Sequence, residues 1–114
     1  MYRLPVAVLF VLAAPIAVLA QSPAYVGTWA SQPAQCKIGQ EMQDAPLILQ
    51  AKRYDQHEAH CTFASVTPRG AAWAVKARCQ VEGSAQNTNF TLSVSGSTLV
   101  MKEGGGTRTL RRCP

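Results

Sequence analysis

His57, Glu58, His60 and Cys61 crowd into HEAHC, residues 57 to 61, and each could do chemistry. The stretch is close to the zinc-protease pattern HExxH, which sets two histidines four apart on a helix so that both face the metal. Here the histidines are three apart. On a strand, odd spacing sends side chains to opposite faces. By that count His57 shares a face with Cys61, and Glu58 with His60. Cys61 would bind a metal only as a free thiolate, and in an oxidising compartment it is expected in a disulfide. The segment therefore reads as part of a wall, with surface or strand-end histidines, no metal and no cofactor.

Other catalytic sets fail on the same grounds of spacing. Ser65, Ser84, Ser93, Ser95 and Ser97 stand in neither G-x-S-x-G nor S-x-x-K. Glu41, Asp44, Asp55, Glu58, Glu82 and Glu103 form no recognisable carboxylate dyad. The glycines at 104 to 106 lie between expected strands, and a phosphate loop must open a helix. The expectation is a protein that is not an enzyme.

The elements around HEAHC follow from period two. Cys61 and Phe63 share one face, as do Trp73, Val75, Ala77, Cys79 and Val81, while Lys76, Arg78 and Gln80 point the other way. A strand from 59 to 66 and another from 71 to 81, joined by a turn in TPRG (67 to 70), make a hairpin. A second pair runs from 89 to 95 and 98 to 103 around Gly96-Ser97, and 107 to 113 is a last strand. YVGTWA (25 to 30) and LILQA (47 to 51) are short strands. KRYDQ (52 to 56) reads as a connector, and 31 to 46, with Pro33 and Pro46, as a long polar loop. No stretch has a helical period. The fold class is all-β, a small antiparallel meander or barrel of about seven to eight strands.

The first 20 residues read as a signal peptide: Arg3, then an uncharged run from Leu4 to Ala20 with small residues before the expected cut. Pro5 and Pro15 and the short length argue against a spanning helix. Residues 21–114 would then be one small β-domain, periplasmic or secreted, with no stable membrane span after cleavage. Eleven basic and six acidic residues give a net charge of +5. The cations are scattered, without the run of about five to eight that marks a nucleic-acid patch. They read first as solubility charge on a solvated surface, with attraction to an acidic glycan or to anionic lipid headgroups as the alternative.

Cys36, Cys61, Cys79 and Cys113 form an even set in a small exported chain and read as two disulfides. The hairpin register sets position 61 opposite 79, which favours Cys61–Cys79 with Cys36–Cys113. The competing pairing, Cys36–Cys61 with Cys79–Cys113, follows if the first loop folds back over the hairpin.

Gly27-Thr28-Trp29 resembles the G-x-W opening of lipocalin-like barrels. The resemblance implies that Trp29 plugs one barrel end and that an arginine near the last strand packs across it. Arg112, on the face of Leu110, fills that role better than Arg111. The wider order of G-x-W, a first cysteine, HEAHCTF, W then C, EG and a terminal RRCP is similar to an uncharacterised family of small secreted proteins of rhizobia-type bacteria. It implies compartment and fold.

Two functions lead among those compatible with these residues, ahead of an envelope stress or assembly factor with no ligand. One is a monomeric binding or inhibitor module of the bacterial cell envelope, contacting a protein or glycan through the loop 31 to 46. The other is a carrier of a small apolar ligand, with Trp29, Phe63, Trp73 and Phe90 lining its pocket.

Overall fold

A computed structural model describes residues 2–13 and 22–114. The expected cleavage point after Ala20 lies outside the described residues. Among those described, no helix is long and apolar enough to cross a membrane.

Eight antiparallel strands run in sequence order: β1 (Gly27–Ala30), β2 (Leu47–Gln50), β3 (Arg53–Gln56), β4 (Ala59–Arg69), β5 (Ala72–Val81), β6 (Ser84–Ser95), β7 (Thr98–Glu103) and β8 (Gly106–Arg112). Each pairs with the next, and β8 returns to β1 through Trp29↔Arg112 and Ala30↔Arg111, closing a barrel. Closure leaves no free edge along the shared length of the strands. The up-and-down order gives the barrel two distinct ends. One carries residues 31–46 and the turns at 57–58, 82–83 and 104–105; the other carries residues 22–26 and the turns at 51–52, 70–71 and 96–97.

The interior is filled. Trp29, Leu47, Cys61, Leu92, Leu99 and Met101 are 0 % exposed. Tyr54, Phe63 and Phe90 meet edge to face with ring centroids 5.6–6.3 Å apart, the geometry aromatic quadrupoles favour. An eight-stranded barrel is just wide enough for side chains to fill, and this one is filled. Cys61 and Cys79 are direct register partners on that inner face, joined by a disulfide with Cα atoms 4.0 Å apart. The second disulfide joins Cys36 and Cys113, Cα atoms 5.6 Å apart, and ties the short 3-10 turn Pro33–Lys37 to the chain end. Two disulfides indicate an oxidising, extracytoplasmic environment.

Three boundaries differ from the sequence expectation. Residues 53–56 are a strand and not a connector; only Tyr54 is buried there, so no apolar alternation marks it. β6 begins at Ser84 instead of 89. It pairs with β7 only from Phe90 onward, so its first residues run beside β5 alone; apart from Ala85 they are polar, and apart from half-buried Thr88 they are exposed. The first hairpin turns at Gly70-Ala71, with Pro68 inside β4 opposite Trp73. β4 leaves β3 after Phe63, and along an open edge a proline nitrogen has no ladder bond to lose.

Candidate functional site

The residues of HEAHC are dispersed to three places. His57 takes φ 52° in the turn before β4, so strand parity does not apply to it and it shares no face with Cys61. Its backbone N–H donates to Gln40 Oε1 at 2.8 Å, and its Nδ1 donates to the Gln40 carbonyl at 3.0 Å. A carbonyl only accepts, so Nδ1 carries the proton. His60 projects outward and reaches Asp55 at 2.6 Å. Cys61 points inward and is disulfide-bonded. Three jobs are done here: loop anchor, surface hydrogen bond and core cross-link.

The loop anchor organises the segment 31–46. Gln35 accepts from the backbone N–H groups of Ser31 and Gln32 at 2.9 and 3.1 Å, holding the entry. Gln40 donates from Nε2 to the Pro46 carbonyl at 2.9 Å, and Gln56 donates to the Ala45 carbonyl at 3.0 Å. Ala45 and Pro46 are buried beneath these bonds. Met42, at the crest, is 56 % exposed and is the large hydrophobic side chain that residues 22–114 present to solvent. Glu41, Asp44, Glu58 and Glu82 surround this end of the barrel, and all four are exposed. A polar segment is thus pinned as a fixed surface with one apolar point.

The opposite end is built differently. Arg112 lies with its guanidinium carbon 4.2 Å from the Trp29 ring centroid. Its Nη1 and Nη2 donate to the carbonyls of Val26 and Ala24 at 2.9 and 2.7 Å. Trp29 Nε1 donates to the Tyr25 carbonyl at 2.9 Å, and the Tyr25 hydroxyl donates to the Ala51 carbonyl at 2.6 Å. Gly27 explains the glycine of G-x-W. Its φ is +153°, and a Cβ there would stand 2.5 Å from Arg112 Nη1. Only glycine leaves the guanidinium its path over the indole.

The side chains expected to line a carrier pocket do not enclose one. Trp29, Phe63 and Phe90 are 0–5 % exposed and belong to the packed core. Trp73 is half-buried at the plugged end, 5.1 Å from Tyr25 in an edge-to-face pair, beside an open groove of about 560 Å3 along Val66 and Pro68.

The third region is the outer wall of β3–β7. Arg53, Thr62, Arg78 and Asn87 form one cross-strand row, and Ser65, Lys76 and Asn89 the next. Thr91 pairs with Lys102 beyond them. Asp55 is the one acidic residue on an outward position of these strands. Arg53 grips it with two bonds of 2.8 and 2.9 Å. That guanidinium holds the Asp55 carboxyl below the usual carboxylate value; burial opposes it, and the hydrogen bond from His60 adds to the lowering. The remaining cations face solvent without an acidic partner on the wall. The alternation of Lys76 and Arg78 was legible in sequence; Arg53 and Lys102 join them only through the topology.

Comparison of the chain with family models, curated proteins and solved structures returned no match.

Proposed function

We propose that the protein is an exported, non-catalytic β-domain that works as a binding or inhibitor module of the bacterial cell envelope, periplasmic or secreted, as a monomer. The loop 31–46 is its contact face. The observation that carries this reading is Met42, held 56 % exposed on a segment whose backbone is pinned by Gln40, Gln56 and His57. A pinned loop loses little conformational freedom on docking, which raises affinity for a given contact area. Methionine adapts its shape to an apolar recess on a partner, and the acids around it select a partner with a basic rim. The resemblance to small secreted rhizobia-type proteins supports the compartment.

The test is a binding screen of the oxidised protein against envelope hydrolases, including lysozymes and proteases, and against peptidoglycan fragments. At least one micromolar interaction is expected, and Met42→Asp should abolish it. No binding to any member of the panel, or binding indifferent to Met42→Asp, would overturn the reading of this loop.

A further inference from the structure

The cations on the outer wall are ordered in a way the loop does not use. Lys76 and Arg78 are successive outward residues of β5, so they stand about 7 Å apart along the strand. Each has a polar neighbour on both sides: Thr62 and Asn87 flank Arg78, and Ser65 and Asn89 flank Lys76. Direct cross-strand neighbours lie about 5 Å apart, so a cation and a hydroxyl or amide reach the same bound group. Arg53 extends the strip on one side and Lys102 on the other. Four strand spacings of about 4.8 Å separate β3 from β7, giving a strip of roughly 19 Å. Shallow grooves of about 450, 350 and 320 Å3 run between these side chains.

We propose that this wall binds an acidic polysaccharide, with Lys76, Arg78 and Lys102 meeting its carboxylates beside the Arg53–Asp55 pair and the interleaved Thr62, Ser65, Asn87 and Asn89 hydrogen-bonding its hydroxyls. Charge complementarity supplies the attraction. Asp55, the wall's one acid, is already held by Arg53 and His60 and does not repel the polymer. The other acids, Glu41, Asp44, Glu58, Glu82 and Glu103, sit in the loop or beside turns at one end of the barrel. The separation of charge orients a polyanion toward the wall.

The same surface argues against two other polyanions. A face that settles on a bilayer carries apolar side chains to enter it. Within residues 22–114 the exposed large apolar side chain is Met42, at the loop end and off the wall. A face that holds single-stranded nucleic acid offers aromatic rings for base stacking. Tyr54, Phe63 and Phe90, carried by the wall strands, point inward and are 3–7 % exposed. Hydroxyls and amides between cations fit sugar hydroxyls better than either alternative.

The experiment uses the full chain, produced with its leader and recovered in oxidised form, with polygalacturonate as the probe. Neutral dextran, phosphatidylglycerol vesicles and single-stranded DNA are the comparison arms. Polygalacturonate should bind with an affinity that falls steeply as salt rises, and dextran should not bind. Lys76→Gln with Arg78→Gln should weaken binding roughly tenfold, since each exposed charge contact is worth up to about fivefold. Arg111→Gln, on β8 outside the strip, should change it less than about twofold. Thr62→Val with Asn89→Leu keeps every charge and should still weaken polygalacturonate while leaving DNA unaffected. An equal loss with Arg111→Gln, no response to the polar pair, or vesicles or DNA bound as tightly as polygalacturonate would overturn the proposal. Loss of the Met42-dependent partner would leave it standing, because the two surfaces are separate.

Discussion

The two ends of the barrel are closed by opposite means. At one end Trp29, Tyr25 and Arg112 form an aromatic plug in which the indole is 0 % exposed, and the indole nitrogen, the Tyr25 hydroxyl and both Arg112 Nη atoms donate to backbone carbonyls. At the other end a polar segment is laid across the opening and held by glutamine and histidine bonds. The plug removes apolar surface from water, which is the dominant driving force of folding. The polar closure gains little from burial, since net hydrogen bonds are worth about 1 kcal/mol each. It gains a fixed surface instead. Stability is concentrated at one end, and the side chains free to meet a partner at the other.

The largest expected effect breaks the plug. Trp29→Ala should cost about 3–5 kcal/mol, because a large buried aromatic leaves a cavity the short strands cannot close. A denaturant midpoint with an unchanged slope would measure it. A cost below about 1 kcal/mol would mean the two ends do not differ in the way described.

Gly27→Ala sharpens the same point with a smaller change. The methyl group would occupy the path of Arg112, and the backbone is held at positive φ. A loss of about 1–3 kcal/mol is expected from a non-glycine residue forced there. Arg112→Ala alone should cost about 0.5–2 kcal/mol as the cation–π contact is lost. In the double variant the methyl has space, so the combined loss should be smaller than the sum of the single losses. Strict additivity would separate the glycine from the arginine.

Gln40→Ala tests the polar end. It removes a donor to Pro46 and an acceptor for His57. The expected global cost is about 1–2 kcal/mol. The clearer signal is local: amide exchange should rise across 38–46 and at His57 while the plug stays protected. Exchange rising equally at both ends would show that the closures are not independent.

The plug was more legible in sequence than the polar closure. Trp29 and Arg112 follow from a short motif and strand alternation, and Cys61 opposite Cys79 follows from the alternating faces of one hairpin. Those signals are local or periodic. Gln40 and His57 are 17 positions apart, and glutamine marks no face, cap or turn that would predict their pairing. The same limit hid β3, where one inward residue, Tyr54, makes no period. Parity also misplaced His57, because the chain leaves the strand conformation at that residue. The basic wall sits between these cases. Lys76 and Arg78 show on one strand, but a wall is a property of neighbouring strands, and register is not written in any one of them.

The smallest expected effect appears only in alkali and separates the ends by ionisation. Burial raises the Tyr25 phenol, at the plug, above its ordinary 10.0. Burial also raises the Tyr54 phenol, followed by the nearby Glu103 charge, with Arg108 opposing. In the unfolded chain both phenols ionise near 10, while the folded protein keeps them protonated to higher pH. Between those values the folded state binds more protons, so stability is fully present below pH 10.0 and falls as pH rises through the window. Phenolate absorbance of the Tyr25→Phe and Tyr54→Phe variants resolves the two groups. Glu103→Gln should lower the Tyr54 midpoint, because a neighbouring negative charge is removed, and leave Tyr25 where it is. If both midpoints move together, Glu103 acts on the whole barrel and the ends are electrostatically coupled. If neither moves, burial alone holds the Tyr54 proton, and the loop end adds nothing to the ionisation of the core.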